Sequence, residues 1–334
     1  MYTYRRNYML DFIKGISCMT VVLIHITFPE RFGEFIRLVC EYAVPVFLMI
    51  TGYYSFGCNE KKLANRRKKI IKILIFAYVI FLCVNCLMAI KNGYFYEWIH
   101  ENFSIITPIY YVVFCYISFA IPLWYLIAQV EIYLLWGIVV RNGKEHLLTK
   151  AIPILLVLHV SLTTICETFG YEWFLRTNFI TRALPWFLIG YYIHTISEER
   201  ISAIDDRILI CGLIGGGILA CLPFTFNLKW NFSCIGYIPF STSIFLLGIK
   251  FKNVSLSTIV EYIGMNLSAY VYIFHIPMVI VLDVIANRLI GSEGKMYSLY
   301  TWLRPITAII ITVAFSYMFV MMKKVVQRHV YSSK

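Results

Sequence analysis

Apolar residues run through this chain in long blocks, and polar residues return in short clusters between them. Blocks long enough to cross a hydrocarbon core, about 17 to 25 residues each, fall at 9–28, 36–56, 70–90, 119–140, 151–168, 179–196, 208–224, 234–250, 266–286 and 303–322. Only helices or closed barrels satisfy every backbone polar group inside lipid. The pattern therefore predicts an all-α integral membrane protein of about ten transmembrane helices, forming a single membrane domain over residues 1–334. The stretch "FSIITPIYYVVFCYIS" (103–118) is apolar enough to hide one more crossing.

Charge placement decides that point. With ten crossings and both termini cytoplasmic, the inner segments hold twenty Lys and Arg and the outer loops seven, as the positive-inside rule requires. An extra pass would flip every later loop and spoil the asymmetry, so 103–118 is expected to be re-entrant or interfacial. Arg5 and Arg6 precede a run that carries Lys14 and His25 and lacks an A-x-A site, so the first helix is read as retained.

The first helix, "LDFIKGISCMTVVLIH", carries three ionisable groups at bilayer depth. Each costs roughly 2.5–3.5 kcal/mol on insertion scales. At about 100° per residue, Lys14 and His25 differ by only about 20° around the axis and lie about 16 Å apart along it. Asp11 shares their face, which must point into the bundle or a wet cavity. Asp11 and Lys14 can neutralise each other at i, i+3, which leaves His25 as the group suited to move a proton near neutral pH. A lone intramembrane His is as often a hydrogen-bonded structural residue; two charged neighbours on its face favour chemistry.

Composition agrees. The chain of 334 residues is 60% hydrophobic and 14% charged, against about a quarter charged in soluble domains. The formal charge of +12 resides in short inter-helix segments, which argues against nucleic acid as a partner. The ten cysteines are scattered; Cys83 and Cys86 form the tight pair and read as small apolar filler, so no metal site is expected.

The stretch "LDFIKGISCMTVVLIH" resembles the first-helix signature of the membrane acyltransferase family 3 proteins, which include O-acetyltransferases of bacterial surface glycans. The basic residue, often Arg in that family, is Lys14 here, which keeps the charge and loses the planar fork. Further likenesses are "VPVFLMITGYY" (44–54), with Thr51 where Ser is usual, and "LWYLIA" (123–128), with Pro122 where His is frequent. "RALPWFLIGYYI" (182–193) and "NLSAYVYIFHIP" (266–277) complete five motifs in family order.

The resemblance implies a membrane acyltransferase with acyl-CoA, commonly acetyl-CoA, as co-substrate, no bound cofactor, and a sugar or lipid-linked glycan as acceptor. It implies a bacterial plasma (inner) membrane location, and glycan-assembly proteins as partners if the product is handed on. His25 would be general base, with Lys14 and Asp11 beside it. Lys69, Lys72 and Arg182 are the acyl-CoA candidates. The segment "KKLANRRKKIIK" (61–72) reads as a basic inner loop, although topology alone also demands one. Glu131, His275 and Thr51 are further polar candidates; His159 and Asp283 are weaker ones, and Trp124, Tyr270 and Tyr272 read as packing or cavity walls. Glu131 serves equally as a structural partner for a cation such as Lys14. No Ser or Cys lies in a nucleophile motif, so an acyl-enzyme is not indicated. Two rival readings remain open: a transporter of a small molecule such as an amino acid, and a scaffold whose buried charges only set packing.

Overall fold

The first helix starts where Asn7 caps it. The Asn7 side chain accepts from the backbone N–H of Leu10 at 2.8 Å and donates to the Gly248 carbonyl at 3.1 Å. Such a cap satisfies one of the orphan donors at a helix start. It also ties α1 (Tyr8–His25) to the end of α13 (Ser233–Lys250). The computed structural model describes residues 6–291 and 293–332; Arg5 and Lys334, counted above among the inner charges, lie outside them.

The described residues form helices and no strand. In chain order the helices between α1 and α13 are α2 (Glu30–Cys40), α3 (Ala43–Tyr53), α4 (Glu60–Lys91), α5 (Phe95–Asn102), α6 (Thr107–Val113), α7 (Trp124–Arg141), α8 (Glu145–Thr149), α9 (Ile152–Phe169), α10 (Leu184–Thr195), α11 (Glu198–Ser202) and α12 (Asp206–Thr225). After α13 come α14 (Thr258–Tyr262), α15 (Ser268–Ile290) and α16 (Lys295–Ser332). Nine helical stretches among the described residues are long and apolar enough to cross a membrane, and the protein is a multi-pass membrane protein. The tenth expected span, 179–196, is a π-turn at Phe179–Ala183 running into α10, slightly shorter than the others and buried along most of its length.

One expectation changes. Residues 61–72 are not a loop: they are the first turns of α4, capped by Asn59. At 1.5 Å per residue α4 is about 48 Å long, well beyond the roughly 30 Å hydrocarbon core, so its basic turns project past the lipid tails. Residues 103–118 are broken rather than crossing. α6 is about 10 Å long, and positive φ at Cys115 (52°) and a non-helical Ala120 separate it from α7.

The chain divides into two compact units. The first holds the described residues up to Phe47, Ile201–Cys221 and those from Tyr237 onward; the second holds Leu48–Arg200 and Leu222–Gly236. In the first unit α1 is the central element, touching α2, α14, α15 and α16. Its buried face, Cys18, Val22 and Ile26, packs with Ile263, Leu267, Val271, Val279, Ala308 and Val320. α1 comes close to the α14–α15 segment because a glycine lies on each side of the crossing. A Cβ on Gly15 would fall on the Val260 carbonyl, and one on Gly264 on the carbonyl of Asp11. In the second unit α4 packs along α7, and a second glycine pair sets α3 on α10: a Cβ on Gly52 would strike the Phe187 carbonyl, and one on Gly190 that of Met49. Small residues at such crossings let backbones approach and replace hydrophobic drive with close packing.

Candidate functional site

His25 ends α1, half-buried, and the chain turns away from the helix immediately after it. Its ring lies against that of His275 in the middle of α15, with centroids 5.1 Å apart and planes tilted by 39°. His275 is fully buried. Its Nδ1–H donates to the Tyr272 carbonyl at 2.7 Å, which fixes the tautomer and leaves Nε2 as a lone-pair acceptor. That Nε2 has no hydrogen-bond partner among the described residues. A buried imidazole with one nitrogen held and the other open, beside a second imidazole, is an arrangement able to accept and pass a proton.

The other end of α1 carries a separate polar cluster. Asp11 accepts from Arg6 Nε at 2.9 Å, a partner that the sequence reading did not supply. Arg6 also faces buried Glu261 at 3.6 Å, and Glu261 accepts from Ser255 at 2.5 Å. Hydrogen bonding to Asp11 raises the pKa of Arg6, so the cation is firmly held. Because α14 begins beside this cluster, Asp11 and Glu261 read first as the electrostatic seat of the α1–α14 crossing. Lys14 is half-buried on the same helix. It is eleven residues from His25, about 16 Å at the helical rise, so the two do not touch the same atoms of a small group.

In the second unit, Arg182 lies in the π-turn and its guanidinium sits over the Trp124 ring, 4.8 Å from the centroid. π-turns inside helices recur at functional sites; the other one here, Ile263–Leu267, leads into the helix of His275. Glu131 accepts from the Cys115 thiol at 3.1 Å. Thr51 accepts from Gln129 at 3.3 Å, and Gln129 also donates to the Tyr125 hydroxyl at 2.6 Å. Lys69 and Lys72 are exposed on the projecting turns of α4, whereas Arg66 of the same segment turns inward to the Ser55 hydroxyl at 3.3 Å. His159 is buried edge-on to Trp186, at 5.9 Å between centroids.

The structure thus joins His25 to His275, Asp11 to Arg6 and Arg182 to Trp124. Sequence reading missed Arg6, Glu261 and Gln129 as partners, and it missed the fork of Arg304 on Asp283, with hydrogen bonds of 2.8 and 2.7 Å. The available signal for the last was two opposite charges inside the last two apolar runs.

Comparison with known proteins adds the family. A protein from Enterococcus faecalis named as an amino-acid racemase is 31% identical over 94 residues, which is 26% of this chain and 13% of that protein. The chain thus spans only a small part of that relative's length. No solved structure matches. A family model described as an acyltransferase domain matches residues 7–321, nearly the whole chain and, Arg6 apart, the groups described above, and the protein belongs to the acyltransferase 3 family.

Proposed function

We propose that this protein moves an acyl group, acetyl in the simplest case, from cytoplasmic acyl-CoA to a hydroxyl of a cell-surface or lipid-linked sugar. The observation that carries the reading is the His25–His275 pair at the end of α1, within a chain of the acyltransferase 3 family. His25 takes the proton of the acceptor hydroxyl as its oxygen attacks the thioester carbonyl. The tetrahedral oxyanion then collapses, the carbon–sulfur bond breaks, and the CoA sulfur leaves with the proton returned from His25. His275 holds the imidazole in place and offers Nε2 as a second acceptor. Lys14 or Arg182 supplies positive charge along the acyl-CoA path, while Lys69 and Lys72 meet the phosphates of CoA, where point charges suffice. Glu131 and Thr51 belong to hydrogen-bond networks of the second unit and have supporting roles. The family match supports acyl transfer; the donor, the acceptor, the bacterial inner-membrane location and the cytoplasmic termini are part of the proposal.

The test uses purified protein in lipid nanodiscs with radiolabelled acetyl-CoA and surface-glycan acceptors. His25→Ala is expected to lower transfer by at least about a hundredfold, the usual scale for losing a general base, with thermal stability retained. Equal loss of stability and activity would return His25 to a structural role. A second reading, transport of a small molecule such as an amino acid, draws on the ionisable groups that α1 carries within its span. Substrate flux into proteoliposomes without acetyl-CoA, coupled with no acetyl-CoA binding, would put that reading first.

A further inference from the structure

A cleft of about 610 Å³ opens within the first unit where α1 ends. Thr27 and Phe28, the second and third residues after His25, form one wall. Glu30 and Glu34, one turn apart on α2, extend it. The opposite wall is made by Asp283 and Asn287, one turn apart on α15, and by Tyr297, Thr301 and Arg304 on one face of α16. Asp283 lies eight residues beyond His275, about 12 Å along the helix. The cleft thus opens two residues past His25, and its α15 wall lies about 12 Å and more along that helix from His275.

Its chemistry is selective. Arg304 is committed to Asp283 by two hydrogen bonds, and Asp283 also accepts from the Tyr300 hydroxyl at 2.6 Å, so that pair is internally neutralised. Glu30 and Glu34 have no ion-pair partner among the described residues and leave the cleft net negative. An anionic ligand is therefore disfavoured. Carboxylate, amide, phenol and hydroxyl groups alternate around the rim, offering both acceptors and donors to neighbouring hydroxyls of one ring. At the edge Phe28 packs with Phe32 and Trp302, at 5.3 and 6.5 Å between centroids. Phe32 and Trp302 remain 48% and 39% exposed, giving an apolar platform for the face of a ring.

The geometry points to this cleft, through Glu30, Glu34, Asn287 and Tyr297, as the acceptor subsite, one that takes a sugar unit bearing hydroxyls and no anionic group. The inference rests on the acyl-transfer reading above and adds where the acceptor sits and which acceptors are refused. A sugar held between the carboxylates and the aromatic platform presents a hydroxyl toward His25, while the rest of the glycan leaves along α15 and α16.

The experiment uses membrane vesicles from the cells that make the protein, lacking their own copy and supplied with wild type or variant. The glycans of those membranes and radiolabelled acetyl-CoA are the substrates, and the glycan fraction is separated into neutral and anionic parts. Wild type is expected to label the neutral part. Glu30→Ala/Glu34→Ala and, separately, Asn287→Ala are expected to raise the acceptor concentration at half-maximal rate about tenfold or more, with the KM for acetyl-CoA unchanged. All three residues are exposed, so an unaltered melting temperature is expected and serves as the folding control. Unchanged acceptor dependence in both variants, or label confined to anionic glycans, would overturn the acceptor subsite and leave acyl transfer standing. No label with wild type would overturn acyl transfer itself, and the subsite with it.

Discussion

His275 is held at one ring nitrogen by the Tyr272 carbonyl and open at the other, with His25 as its aromatic neighbour. A residue that only fills space has no need of that arrangement. We expect His275→Gln to bind acetyl-CoA normally while shifting the pH midpoint of transfer by about one unit or more, the scale on which neighbouring hydrogen bonds and charges move an ionisation. A pH profile that overlays wild type, with only stability lowered, would make His275 a packing residue. At this scale the sequence was informative about which residues are costly in lipid, and much less so about whom they meet. His25 and His275 lie 250 positions apart, and nothing in either local pattern fixes their contact. Asp11 was legible as buried charge, but its partner Arg6 precedes the helix and comes back to it only through the Asn7 cap.

The elements were more legible than their crossings. Apolar length gave the spans because lipid leaves the backbone no alternative to a helix. Where the outcome differed, polar capping decided: Asn59 starts α4 well before the apolar run. Backbone geometry at Cys115 and Ala120 breaks the stretch ahead of α7, which charge placement had kept from crossing. Crossings depend on where side chains are missing, and a lone glycine in an apolar run does not announce its partner. Gly264→Ala must push a methyl group into the Asp11 carbonyl, and Gly52→Ala into that of Phe187. Each is expected to cost about 1–3 kcal/mol, the overpacking range. Gly137, inside α7, has open space around its Cβ position. Gly137→Ala is expected to be neutral or to stabilise by up to about 1 kcal/mol, since alanine is the better helix former. Melting temperatures in one detergent compare the three variants directly, and equal losses would remove the distinction between crossing and lipid-facing glycines.

For the molecule as a whole, the excess of Lys and Arg on alternate segments predicts a side of the membrane for each loop. Epitope tags inserted at 144 and at 229 are expected to be reached from opposite faces, 144 from the cytoplasm; labelling from the same face would mean a miscounted crossing between them. The family match covers residues of both units, so the likeness is carried by residues 7–321 rather than by one helix pair. One consequence concerns the projecting turns of α4. Lys62 and Arg66, Arg66 and Lys69, Lys68 and Lys72, and Lys69 and Lys72 are cations stacked at i, i+3 or i, i+4 on one helix. Each such pair weakens a helix by a few tenths of a kcal/mol. This stretch therefore forms a helix against its own repulsion, and a polyanion lying along it screens that repulsion and tightens its turns. If donor phosphates are held here as proposed, acidic lipid headgroups compete for the same splint, and the charge of the surrounding leaflet becomes a setting on how readily the donor is held.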